Sequence, residues 1–208
     1  IIFSEGFRQG RIHTALERAF DILVSLALLI LASPIMLLTA IAIKVTEGPR
    51  ASIFYKQVRV GQSGRPFRLL KFRSMREDAE RDGKPQWAQK NDSRVTRVGA
   101  FIRMTRIDEL PQIINVLRGE MSFVGPRPER PEFVAQLSER IPYYQERHSI
   151  KPGITGWAQL CYPYGSSEQD AAEKLQYDLF YVKNHSLLFY LAILVQTVEV
   201  IVWRKGAR

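Results

Sequence analysis

Along the chain the apolar residues fall into one long run, one alternating stretch and several helical stripes. Residues 22–43, ILVSLALLILASPIMLLTAIAI, carry no charge, and 22 such residues exceed the roughly 20 that cross a bilayer as a helix. Ser33 and Pro34 sit mid-run. Proline removes one backbone hydrogen bond and crowds the preceding turn, so a kink is predicted there, and the Ser33 hydroxyl can satisfy a freed carbonyl. The run starts too late, and lacks the small-residue cleavage site, for a secretory signal. Cations flank both ends, Arg11 and Arg18 before it and Lys44, Arg50 and Lys56 after, so the positive-inside rule selects neither orientation. On residues alone a re-entrant hairpin with both ends cytoplasmic and a straight transmembrane helix are evenly matched. Asp21, at the start of the run, either pairs with Arg18 or is solvated.

The remaining pattern predicts a mixed but mainly helical body. Residues 1–18 are polar and basic and read as a linker. Residues 50–76 hold eight Lys or Arg and no acid. There SIFYKQVRV, GQSG and RPFRLLKFRSM read as two strands joined by a glycine-bounded turn. Alternation sets Lys71 and Arg73 on one face of the second strand, which reads either as a cationic wall for a diphosphate or anionic headgroups or as a solvated strand face. Residues 77–93, around Gly83, Pro85 and Trp87, are expected to form a mobile loop, and residues 98–105 a short helix. Leu110, Ile113, Ile114 and Leu117 recur at helical spacing, with Pro111 in the first turn and Gly119 after the last, which predicts a helix over 109–118 with Asp108 as its N-cap. Phe133, Leu137 and Ile141 mark another helix, residues 151–159 a tight loop, and residues 170–184 a further helix. Residues 186–203 are mostly apolar but contain Gln196 and Glu199, with Arg204 and Lys205 beyond. A helix lying in the membrane plane fits them better than a second crossing.

Composition narrows the partners. A net charge of +9 and a pI of about 9.8 point to anions: nucleic acid, acidic lipid or a phosphorylated substrate. No nucleic-acid reading helix or aromatic stacking motif is present, so nucleic acid is not expected. The single cysteine, Cys161, excludes an internal disulfide framework and points to a reducing compartment. His13, His148 and His185 are too dispersed for a metal motif. Repeats, Walker sequences and Gly-rich nucleotide fingerprints are absent.

One stretch has the spacing of a site: residues 103–129, RMTRIDELPQIINVLRGEMSFVGPRPE. Asp108 and Glu109 at a helix start would meet free N–H groups and the positive end of the dipole, which favour an ionised carboxylate and nearby phosphates. Adjacent helical residues point about 100° apart, so the two acids should do different jobs. Arg103 and Arg106 precede them. Arg127 follows between Pro126 and Pro128, whose fixed φ angles stiffen its support, and arginine suits bidentate phosphate contacts.

The segments DELPQIINVLRGEMSFVGPRPE, KFRSM at 71–75 and KPGITGWAQ at 151–159 resemble the bacterial sugar transferases, the monotopic phosphoglycosyl transferases, over residues 18–203. The resemblance implies an α/β, mainly α, monotopic membrane fold forming one catalytic domain over 1–208. Its parts are a linker, a re-entrant helix at 19–46, selected because the family's Ser-Pro break matches Ser33 and Pro34, and a cytoplasmic part at 47–208 with an interfacial helix at 186–203. The implied reaction moves a sugar-1-phosphate from a UDP-sugar to polyprenyl (undecaprenyl) phosphate, with Mg²⁺, at the cytoplasmic face of the bacterial inner membrane. UMP is released through a covalent phosphosugar on Asp108, which also ligates the metal. Glu109 either positions Mg²⁺ or assists proton transfer, while Lys71, Arg73, Arg103 and Arg127 bind phosphate oxygens. Tyr177, Asp178 and Tyr181 match the family, as packing or as ligand contacts. Where one branch continues with Gly-Arg, this chain has CYPYGSS, similar to the exopolysaccharide branch. Anionic lipids are expected partners, and a homo-oligomer is left open. The competing functions are a noncatalytic scaffold of a polysaccharide assembly complex and a glycosyltransferase that would release UDP.

Overall fold

A computed structural model describes residues 11–76, 79, 92, 94–162 and 167–203. The expected loop at 77–93, with Trp87, lies almost wholly outside the described residues, as do residues 1–10 of the linker, 163–166 of CYPYGSS, Arg204 and Lys205. The chain divides into two compact units, one of Ile1–Leu23, Val58–Phe67 and Val116–Arg208, the other of Val24–Gln57 and Arg68–Asn115.

Helix α1 (Arg11–Glu47) is continuous over 37 residues, through Pro34. Pro34 cannot donate to the carbonyl of Ile30, and the Ser33 hydroxyl donates to that same oxygen at 2.8 Å. The expected rescue of the freed carbonyl is therefore in place. Leu23, Ile30, Leu31, Leu37, Leu38 and Val45 are all more than 60% exposed, and only 11% of the most apolar window is buried. A core helix of a water-soluble body would hide those side chains; α1 is long and apolar enough to cross a membrane and is compatible with monotopic association.

In the unit of Val24–Gln57 and Arg68–Asn115, the inner side of α1 closes a small core. Ile43, Phe72 and Ile102 are buried there, with Met36, Ala40, Ile53, Val98, Ile107 and Leu110 packed against them. Strands β1 (Phe54–Val60) and β2 (Pro66–Phe72) form the expected hairpin, turning through Ser63 and Gly64 at positive φ. Helix α2 (Arg97–Met104) is capped by the Thr96 hydroxyl, which accepts from the Gly99 amide at 2.9 Å. Gly99 is there because a Cβ would lie 1.9 Å from the Ser74 carbonyl oxygen. Helix α3 (Gln112–Arg118) follows.

The other unit is built on helices α4 (Pro131–Arg140), α6 (Glu168–Lys183) and α7 (Leu187–Trp203). Val134, Leu137, Ile141, Tyr144 and Leu175 form its core with Val60, while Phe133 is only partly covered. A parallel pair that periodicity did not predict, β3 (Ser122–Val124) with β4 (Gly153–Thr155), runs in the register Ser122↔Gly153 and Val124↔Thr155, and short helix α5 (Trp157–Cys161) follows. At the start of α1, Arg18 does not pair with Asp21. It donates to the Val116 and Leu117 carbonyls, 2.6 Å each, at the end of α3, while buried Asp21 accepts from the Tyr190 hydroxyl at 2.7 Å. Helix carbonyls left without intrahelical donors attract the guanidinium. On α7, Tyr190 and Ile193 are fully buried, whereas Leu188, Val195, Val198 and Trp203 are 59–81% exposed.

Candidate active site

The two acids sit on a turn pinned on both sides. After α2, Arg106 takes a left-handed conformation (φ 59°), and Ile107–Glu109 form a single 3-10 turn closed by the Leu110 amide on the Ile107 carbonyl. Ile107 and Leu110 pack into the core around Phe72, so the residues between them are held in place. The expected α-helix from 109 with Asp108 as N-cap is not what forms. Pro111 cannot donate a backbone hydrogen bond and Arg106 has already reversed the chain, so α3 starts only at Gln112. The positive field at the acids therefore comes from side chains.

Those side chains are Lys71, Arg103 and Arg106. Lys71, on β2, places Nζ 2.8 Å from Glu109 Oε1, with 21% and 13% of the two side chains exposed. Arg106 Nη1 is 4.0 Å from the same oxygen. Asp108 is 7% exposed, and no described residue donates a hydrogen bond to its carboxylate. Burial pushes its pKa above the usual carboxylate range; Lys71 opposes the shift, Glu109 adds to it, and Arg103 and Arg106 oppose it again. The arrangement thus presents a poorly solvated, basic oxygen among cations, which is what attack on an anionic phosphorus requires. Arg106 was legible only as a neighbour of the pair, three residues before Glu109. Arg73 lies just past the end of β2, where its amide donates to the Ile53 carbonyl at 2.9 Å, and its side chain is half-buried.

One buried polar side chain escaped the periodic reading. Asn115 reads as the polar position of an otherwise apolar stripe, yet it is fully buried. Its Oδ1 accepts from the Leu70 amide at 3.0 Å, and its Nδ2 donates to the Arg68 carbonyl at 2.8 Å.

Arg127 belongs to the other compact unit. Its loop leaves β3 at Gly125, where a Cβ would lie 2.3 Å from the Lys151 carbonyl oxygen; at Gly153 one would lie 2.1 Å from the Gly125 nitrogen, and at Gly156 one would lie 2.3 Å from the Gly125 oxygen. The GPRPE and KPGITG segments thus touch backbone to backbone, and the Gly153 amide donates to the Pro126 carbonyl at 3.1 Å. The Arg127 carbonyl accepts from Arg147 Nη2 at 2.9 Å, and that of Pro128 accepts from Arg59 Nη1 at 3.0 Å. Arg147 is in turn gripped by Asp178, whose Oδ2 accepts from Nε at 3.0 Å and Nη2 at 2.7 Å, both residues being buried. This assigns Asp178 to the support of the Arg127 loop.

Comparison with known proteins agrees with the motif reading. The family model described as bacterial sugar transferase matches residues 12–204. The UDP-N-acetylgalactosamine-undecaprenyl-phosphate N-acetylgalactosaminephosphotransferase of Aeromonas hydrophila is 46% identical over 198 residues, covering 95% of this chain and 46% of that protein. The UDP-glucose:undecaprenyl-phosphate glucose-1-phosphate transferase of Klebsiella pneumoniae is 44% identical over 190 residues, covering 90% and 40%. The exopolysaccharide production protein PSS of Rhizobium leguminosarum bv. phaseoli is 40% identical over 190 residues, covering 88% and 93%. The chain spans less than half the length of the first two relatives.

Proposed function

The chain belongs to the bacterial sugar transferase family, and on that premise we propose that it transfers a sugar-1-phosphate from a UDP-sugar to polyprenyl phosphate. The observation that carries the reading is Asp108, a buried carboxylate with no hydrogen-bond donor among the described residues and under the electrostatic influence of Lys71, Arg103 and Arg106. An Asp108 oxygen attacks the sugar-linked phosphorus, the bond to the bridging oxygen breaks, and UMP leaves with the electron pair. A polyprenyl phosphate oxygen then attacks the same phosphorus, the bond to Asp108 breaks, and the carboxylate is restored. Lys71, Arg103 and Arg106 offset the charge of the donor diphosphate, and Arg127 and Arg73 are proposed phosphate contacts. Two displacements replace one difficult transfer between two anions, which predicts ping-pong kinetics.

Mg²⁺ fits this donor set. Among the described residues no three His, Cys, Asp or Glu converge, and Mg²⁺ characteristically takes one or two carboxylates together with water and substrate phosphate oxygens. Asp108 and Glu109 would hold it, and when bound it would neutralise charge on the transferred phosphoryl group. Glu109, whose Oε1 accepts from Lys71, either positions the metal or assists proton transfer.

The setting we propose is the cytoplasmic face of the bacterial inner membrane, with α1 re-entrant at Ser33 and Pro34 and α7 lying in the interface. The exposed apolar residues of both helices and the cations at each end of the apolar run support it. Kinship to an exopolysaccharide production protein, together with CYPYGSS, supports a place at the first membrane step of exopolysaccharide assembly.

The test is nucleotide release by purified protein given UDP-sugars, Mg²⁺ and polyprenyl phosphate. UMP from the wild type, and at least a thousandfold less from Asp108→Asn, is the expected result. UDP instead would make the protein a sugar transferase that breaks the sugar–oxygen bond. Absence of either nucleotide across a broad donor panel would favour a scaffold.

A further inference from the structure

We infer that Asn115 is a positioning residue for this transfer: its amide pairs with the free edge of β2 and so fixes where Lys71 meets Glu109. The inference rests on the reading of Asp108 and Lys71 just given.

Among the described residues strand β2 has β1 as its one strand neighbour. Arg68 and Leu70 are two residues apart, so their backbone groups face the same edge. A primary amide offers one acceptor and one donor side by side, and that of Asn115 fills both, taking the Leu70 N–H and giving to the Arg68 carbonyl. It thus does for β2 what a third strand would. No other residue type of that size can: aspartate lacks the donor, leucine lacks both groups, and serine is too short to span them.

Asn115 lies on α3, which follows the turn of Asp108 and Glu109 directly, and the chain between them is closed by backbone hydrogen bonds from Leu110 to the Ile107 carbonyl and from Ile113 to the Leu110 carbonyl. Lys71 follows Leu70 directly. The amide therefore ties the segment that carries Asp108 and Glu109 to the strand that carries Lys71. A slip of one residue would move Lys71 by about 3.3 Å and turn it to the opposite face, ending a contact that is 2.8 Å long.

The experiment is a double-mutant cycle on the full chain, with Asn115→Leu and Asn115→Ser each combined with Lys71→Met. Each Asn115 substitution should lower kcat/KM for UMP release about tenfold or more in the wild-type background and by less than twofold in Lys71→Met. A residue that merely supports the fold would lower both equally, and that additive result would overturn the inference. A second measurement does not depend on turnover: acylation of lysines by a soluble active ester, read by mass spectrometry. Lys71 should react several-fold faster in both Asn115 variants, while exposed Lys56 and Lys183 keep their rates. An unchanged Lys71 rate in either folded variant would also overturn it. Should the wild type release no UMP, the transfer reading fails on its own, and the acylation rates decide whether Asn115 places Lys71.

Discussion

Asp108 is held against its own preference for water. Its pKa is raised, so the stability linked to this group is present when the carboxyl is protonated and is lost as pH rises through the folded-state value. Ionising this buried carboxyl costs the fold stability. Asp108→Asn should therefore raise Tm by about 2–4 °C, the effect of ~1 kcal/mol in a chain of this length, while abolishing UMP release. A fall in Tm would show that the carboxylate is held by partners after all. His148 poses the opposite case. Burial, and then the charge of Arg147, lower its pKa to about 4, and Nδ1 lies 3.2 Å from Gln145 Oε1. Between the unfolded value near 6.5 and about 4, the unfolded chain binds the proton and the folded chain does not, so stability falls as pH falls through that window. The loss attributable to His148 reaches on the order of 3 kcal/mol. Thermal melts from pH 7 to 4.5 should slope more steeply for the wild type than for His148→Asn, and parallel curves would remove the residue from this account.

Elements were legible where periodicity governs them and not where single contacts do. The β1 and β2 hairpin, α2, α6 and the long apolar helix follow from alternation, stripes and caps in the sequence. The turn at Asp108 does not, because a left-handed Arg106 and the missing N–H of Pro111 override a helical stripe that starts at Leu110. The pairing of β3 with β4 is hidden too: three-residue strands carry no detectable alternation, and residues 151–159, which hold β4, read as a tight loop. In the site, the acid pair and Lys71 could be read from order and spacing, whereas Asn115 could not, since a polar residue on a helix is ordinarily solvated. Pro34 is the element-scale test. Pro34→Ala restores a donor for the Ile30 carbonyl that Ser33 now serves, and should straighten α1. With single cysteines at positions 13 and 46 in a Cys161→Ser background, a membrane-impermeant maleimide should label both from the cytoplasmic side in the native sequence. In Pro34→Ala, position 13 should become protected or label from the far side. Opposite-side labelling in the native sequence would establish a straight crossing instead.

At the scale of the whole molecule, charge and exposed apolar surface call for the same surroundings. A chain of net charge +9 with the outer sides of α1 and α7 uncovered should bind vesicles containing anionic lipid more tightly than neutral ones. Raising salt from 0.05 to 0.5 M should reduce that preference while leaving a salt-resistant, α1-dependent fraction. Equal binding to neutral vesicles at every salt would leave the positive charge to the substrates alone. The contact of Gly125 with Gly153 bears on how relatives may be recombined. Two segments far apart in the chain meet with no room for a side chain on either, so neither can be exchanged without the other. A chimaera with a junction anywhere between 125 and 153 joins halves shaped for different neighbours. The smallest transplantable cassette is 122–156 taken whole, and specificity swaps among these proteins should be cut at its borders.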